Sequence, residues 1–201
     1  FEVRKWERRS EDGKIVRRGA GRTMEEVFDQ RQKYTGIGRG SRFPNPAELS
    51  IKTFGAHFVA LEVDTATGEV FIEKVVAVHD IGRIVNPLTA ASQVEGGVIQ
   101  AIGFALTEER ILDRASGRVL NADLEEYKVP TVRDVPPIVV RFVDVPDAKA
   151  NNLGAKGLGE PPIIPTAAAI ANAIANATGA RVRTTPLTPA RVLAALAEVR
   201  A

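Results

Sequence analysis

Apolar residues between Phe54 and Val63 alternate loosely, with Val59, Leu61 and Val63 on one side, and a period of two predicts a strand. Asp64-Thr-Ala-Thr-Gly68 is a turn sequence, and Glu69 to His79 reads as the returning strand of a hairpin. Within that strand Val75-Val-Ala-Val78 is continuously apolar, which predicts burial on both faces. Asp80-Ile-Gly82 ends it, and Asn86-Pro87 opens the next element. From about Leu88 to Arg110 the period changes: Val94, Val98, Ala101, Ile102, Ala105 and Leu106 form a stripe at helical spacing. Gly96, Gly97 and Gly103 interrupt this helix, each at a cost of about 1 kcal/mol relative to alanine. Close approach of another backbone, or of a flat ligand, would compensate for them.

Further along, Asp113 to Gly117 is a turn, Arg118 to Leu124 is ambiguous, and Pro130, Pro136 and Pro137 break the chain. Ile138 to Val145 alternates as a strand, and a long loop runs from Pro146 to Pro162. Thr166 to Thr178 reads as a helix capped by Gly179, Arg181 to Thr185 as a short strand, and Thr188-Pro189 as the start of a final helix reaching about Val199. Residues 1–50 are polar, with a short helix predicted from Thr23 to about Tyr34, where Thr23 and Glu26 make a capping box. Gly36 to Pro46 is a loop whose glycine spacing does not fit a dinucleotide-binding fingerprint. The order of elements predicts an α+β fold with a mixed or antiparallel sheet and packed helices. It divides into a polar N-terminal segment, 1–50, continuing from a missing upstream part, and a domain over 51–201.

Composition narrows the functions open to such a fold. A hydrophobic fraction of 44% and a charged fraction of 26% over 201 residues are ordinary globular values. A net charge of +2 argues against a nucleic-acid binder. The basic residues crowd into 1–42 without interleaved aromatics, as on a solvated face or a contact with an acidic partner. With no cysteine, the chain holds no disulfide, zinc–thiolate site, iron–sulfur cluster or cysteine nucleophile. His57 and His79 are the only imidazoles, too few for a multi-histidine metal site, and both read as structural histidines. No apolar run is long enough to span a membrane and no signal peptide is visible, which predicts a cytoplasmic location. The opening at Phe1 reads as a fragment, a processed product or one subunit of a split protein.

Two constellations carry candidate chemistry. In Gly154-Ala-Lys-Gly-Leu-Gly-Glu160 the glycines let the backbone turn and approach a ligand, and the loop amides are free to donate to phosphate or pterin oxygens. Pro161-Pro162 stiffens the chain after Glu160 and leads into a helix, so the carboxylate is placed as a general base. The plainer alternative is a loop whose glutamate sits favourably near a helix N-terminus. The second constellation is Asp80-Ile-Gly-Arg-Ile-Val-Asn-Pro87 with Gln93-Val-Glu-Gly-Gly97. There the Gln93 amide can read a cofactor edge, against the alternative of helix capping and a structural Asp–Arg pair.

Taken in order, these runs, with Gln100, Gly103, Leu106-Thr-Glu-Glu109, Tyr127-Lys-Val-Pro130 and Gly154 to Pro162, resemble the xanthine dehydrogenase/aldehyde oxidase family of molybdenum hydroxylases. The resemblance runs from about Phe54 to the C-terminus and more weakly through 1–50. It implies the C-terminal portion of a molybdopterin-binding large subunit that oxidises aldehydes or xanthine-like N-heterocycles with water-derived oxygen. By the same resemblance Glu160 is the base that activates a Mo–OH group. Gln93, Lys156, Gly157, Leu158 and Gly159 line the molybdopterin, and no side chain ligates the metal. Iron–sulfur clusters and FAD are then expected on partner chains, with the remainder of the molybdenum subunit as a further partner, and this chain alone is expected to be inactive. The alternative from another class is a non-catalytic cofactor-binding or assembly module of the same fold. A generic glutamate-dependent hydrolase is a third reading.

Overall fold

The computed structural model describes residues 7–9, 15–18, 45 and 48–200. The helix predicted over 23–34, and nearly all of the predicted loop over 36–46, lie outside them. The chain forms two units, Phe1–Pro44 and Asn45–Ala201. The first contains strands β1 (Glu7–Arg9) and β2 (Ile15–Arg18), paired antiparallel with a register shift between Arg8 and Arg9.

The second unit opens on the hairpin of β3 (Phe54–Val63) and β4 (Val70–Asp80), antiparallel from Phe54↔Asp80 to Val63↔Val70. Its turn is built by Asp64, whose carboxylate accepts the Ala66 and Thr67 amides at 2.8 and 3.3 Å. Those bonds hold the carboxyl below its ordinary pKa. Gly68 closes the turn at a φ of 80°. Helix α1 (Pro87–Leu106) follows, with Asn86 as N-cap accepting the Thr89 amide at 3.2 Å. It ends short of the predicted Arg110, because the Thr107 and Glu108 amides both turn back onto the Gly103 carbonyl, each at 2.8 Å. The Thr107 hydroxyl also reaches out of the helix to the Lys128 carbonyl at 2.9 Å.

Strand β5 (Ile138–Val143) pairs parallel with β4, from Val75↔Ile138 to Asp80↔Val143, giving a sheet of order β3-β4-β5. The sheet is therefore mixed: a hairpin extended by a crossover strand, with α1 in the connection. After a short 3₁₀ turn (Pro161–Ile163) come α2 (Ile164–Thr178), ended by Gly179 at φ 77°, and α3 (Pro189–Arg200). Residues 181–185, predicted as a strand, form none.

One sheet face carries Val75 and Ala77, both fully buried, flanked by Val59, Ile138 and Val140. Val94, Val98, Ile102 and Ala105 of α1 and Ile170 and Ile174 of α2 pack onto it. Full burial of such a side chain is worth about 1.5–3 kcal/mol, so this layer is what holds the helices in place. The other face departs from the expected two-sided burial. Val76 and Val78 are only half-buried, beside Phe58 at 62% and Phe54 at 69% exposure.

Candidate functional site

Of the predicted site residues, Gln93, Gly159 and Glu160 meet where the N-terminal half of α1 faces the turn into α2, whereas Lys156, Gly157 and Leu158 do not line that place. An open cavity of about 500 Å³ lies there. One wall is Gln93, Gly96, Gly97 and Gln100, which share a helix face by their spacing. The other wall is Gly159, Glu160, Ile163 and Ile164. The Glu160 side chain is exposed at this cavity and has no hydrogen-bond or ion-pair partner among the described residues.

The loop before Glu160 is held from several sides. The Arg83 amide donates to the Gly154 carbonyl at 2.8 Å, and the Lys156 amide to the Ile81 carbonyl at 2.7 Å. Asn151 bonds the Ala155 carbonyl through Nδ2 and the Leu153 and Ala155 amides through Oδ1. Gly154 is the residue that takes the left-handed conformation, at φ 71°, with Pro146 Cβ 3.0 Å from where a side chain would begin. Thr53 Oγ1 donates to the Gly157 carbonyl at 2.6 Å, and Gln93 Nε2 to the Gly159 carbonyl at 2.6 Å.

These contacts redistribute the roles expected of individual residues. The Lys156 ammonium lies 2.7 Å from Asp80 Oδ2 and its side chain is only 10% exposed, so its charge is directed at the strand end. That bond, above all, holds the Asp80 carboxyl below its ordinary pKa. The expected Asp–Arg pair at Asp80 is thus an Asp–Lys pair instead. Leu158 sends its side chain into the main core. Gln93 spends its donor on the loop, which leaves its carbonyl oxygen for a ligand. The loop backbone also has donors to spare: the amides of Gly157, Leu158, Gly159 and Glu160 have no acceptor among the described residues. Around Gly96, Gly157 and Gly159 no atom lies within 4 Å of where a Cβ would stand.

Behind Glu160 the packing is tight. A Cβ on Gly97 would stand 2.6 Å from Pro162 Cβ and 3.1 Å from its carbonyl carbon, so only glycine lets α1 meet the turn. The Ile163 amide closes that turn on the Glu160 carbonyl at 3.1 Å. The structure adds Gln100, Gly96, Ile163 and Ile164 to the site. Gln100 was legible, seven residues from Gln93 and on the same face, whereas the two isoleucines carry no signal apart from their place after the prolines. Among the described residues no group of three or more His, Cys, Asp or Glu side chains is placed to hold a metal ion. No helix among them is long and apolar enough to cross a membrane.

Residues 1–136 match the model of the molybdopterin cofactor-binding domain family. The chain is 49% identical over 152 residues to the xanthine dehydrogenase molybdenum-binding subunit of Escherichia coli O157:H7, a match covering 73% of this chain and 20% of that protein. It is 43% identical over 152 residues to the aldehyde oxidoreductase molybdenum-binding subunit of Escherichia coli K12, covering 76% of this chain and 21% of that one. Among solved structures it resembles quinoline 2-oxidoreductase from Pseudomonas putida 86, with a TM-score of 0.65 and 33% identity over 71% of this chain and 18% of that one. The chain thus spans about a fifth of the length of the curated relatives it matches.

Proposed function

Because the chain belongs to the molybdopterin cofactor-binding domain family of molybdenum hydroxylases, we propose that it supplies the base-bearing part of an enzyme that hydroxylates aldehydes or N-heterocycles. In this reading Glu160 is the base. The observation that carries it is the unpartnered Glu160 carboxylate on one wall of a cavity whose opposite wall presents Gln93 and Gln100.

The residues present fit a molybdopterin. Its phosphate and pterin are rich in acceptors, and the loop presents four unpaired amides. The open positions at Gly96, Gly157 and Gly159 would be filled by any side chain. Gln93 and Gln100 both donate and accept, as the mixed edge of a pterin requires. In this reading Gly157, Leu158 and Gly159 hold the cofactor through their backbones and Gln93 through Oε1, while Lys156 shapes the loop through Asp80. When bound, the cofactor supplies the redox chemistry, a two-electron oxidation of the substrate carbon with oxygen derived from water.

The chain's own contribution is placement and proton transfer. Pro161-Pro162, seated on Gly97, fixes the backbone from which the Glu160 carboxylate extends. Ile163 and Ile164 give the cavity an apolar flank beside that carboxylate. A base so placed takes up a proton at a carboxylate oxygen as substrate reacts. The remainder of the molybdenum subunit, with iron–sulfur and FAD subunits, completes the proposed enzyme, so turnover is a property of the assembly.

The test is Glu160→Gln in the assembled enzyme. Molybdenum and pterin content stay unchanged and turnover falls by about 10²–10⁴-fold, the usual contribution of general-base catalysis. Unchanged turnover would make the loop a binding module and remove Glu160 from the chemistry.

A further inference from the structure

A polar cluster lies in the core outside the cavity. His57 Nε2 is 2.8 Å from His79 Nε2, and His57 Nδ1 is 2.8 Å from Thr166 Oγ1. His79 and Thr166 are both completely buried. The two rings meet edge to face, with centroids 5.0 Å apart. His79 Nδ1 has no partner. Gly55 is pressed against that side of the ring, where a Cβ would stand 2.7 Å from Nδ1.

Two bonds join three groups that carry one proton each. Two neutral imidazoles hold two N–H groups, and one of these must occupy the Nε2···Nε2 bond. If His57 donated it, the His79 proton would sit on Nδ1, a buried N–H with no acceptor. If His79 donates it, the second proton lies on His57 Nδ1 and points at the Thr166 oxygen. The Thr166 hydroxyl proton is then the buried donor without an acceptor, so in either order both bonds are made and one donor is left over. Thr166 stands in the first turn of α2, immediately after the 3₁₀ turn that closes on the Glu160 carbonyl.

We propose that His79, His57 and Thr166 are positioning residues: a hydrogen-bond latch from β4 through β3 that fixes the start of α2 and so the place of Glu160. A further ring proton would leave a second buried donor without an acceptor. Burial first, then the neighbouring His79, depresses His57 to about 4, and burial lowers His79 as well. Apart from His79 itself, no acidic or basic side chain of β3, β4, β5, α1 or α2 shifts either ring. Beside His79 in the sheet, β5 presents Phe142. The catalytic consequence rests on the base reading of Glu160; the latch itself does not.

The first measurement needs no variant. Long-range ¹H–¹⁵N spectra of the imidazoles in the full chain should show one proton on each ring, with one of the two Nε2 atoms protonated and the other not, and both rings still neutral well below the ordinary imidazole range. Both Nε2 atoms protonated, or a ring titrating near its ordinary value, would overturn the latch. In Thr166→Val the Ile163 amide should exchange with solvent at least about tenfold faster while the Gly179 amide, at the far end of α2, is unchanged. Equal rates at Ile163 in both proteins would overturn it too. In the assembled enzyme Thr166→Val should lower kcat at unchanged KM and cofactor content, and Thr166→Ser should restore it. Faster exchange at Ile163 with Glu160→Gln still fully active would keep the latch and discard the base.

Discussion

Gly96 and Gly97 are neighbours on α1 and face different things. Gly97 is filled against from outside by Pro162, closer than any Cβ would allow, and Gly103 two turns on is met in the same way by Pro130, whose Cδ would be 2.7 Å from a Cβ. Gly96 has no atom within 4 Å of that position and opens on the cavity. The same division runs through the loop. Gly154 is needed for its backbone conformation, whereas Gly157 and Gly159 have neither a positive φ nor a neighbour to avoid. Glycines of the first kind are explained by the protein alone. Those of the second kind cost helix or loop stability for nothing that the fold uses, and they cluster where a ligand would lie.

That division can be broken by substitution. The largest effect belongs to Gly97→Ala, which should lower stability by about 1–3 kcal/mol, the range for overpacking a tight contact. A melting temperature equal to that of the parent would show that the turn yields freely. Gly103→Ala should cost less within the same range, because part of what it meets is the movable end of Glu108. The smallest effect has the opposite sign. Gly96→Ala should stabilise the chain by up to about 1 kcal/mol through helix propensity while lowering the molybdopterin content of the assembled enzyme. A Gly96→Ala enzyme with full cofactor would remove this part of α1 from the cofactor wall.

What the chain's pattern revealed, and what it hid, follows the range of the interactions. The β3–β4 hairpin was legible because Asp64 and Gly68 build the turn from neighbours in sequence. The apolar stripe of α1 was legible for the same reason, but its end was not. The helix stops at Leu106 through contacts with Gly103 and with Lys128, a residue on a separate segment. Strand β5 alternates as expected, yet alternation does not say that its partner is β4 or that the pairing is parallel. The Lys156–Asp80 pair joins residues 76 apart, and local reasoning gave Asp80 to an arginine instead. Glu160 and Gln93 emerged from the ordered family pattern, since a glycine loop followed by Glu-Pro-Pro has a plainer explanation when met alone.

The tethering of residues 154–160 has a consequence for how a ligand would be captured. Fixing a residue's backbone costs about 1–2 kcal/mol of conformational entropy, and a floppy loop meets that cost at the moment of binding. Here the bonds from Arg83, Ile81, Asp80, Thr53 and Gln93 fix the loop as the chain folds. In the proposed function, a cofactor arriving at the loop's amides would meet donors already in place, so little of its binding energy would be diverted into ordering the protein.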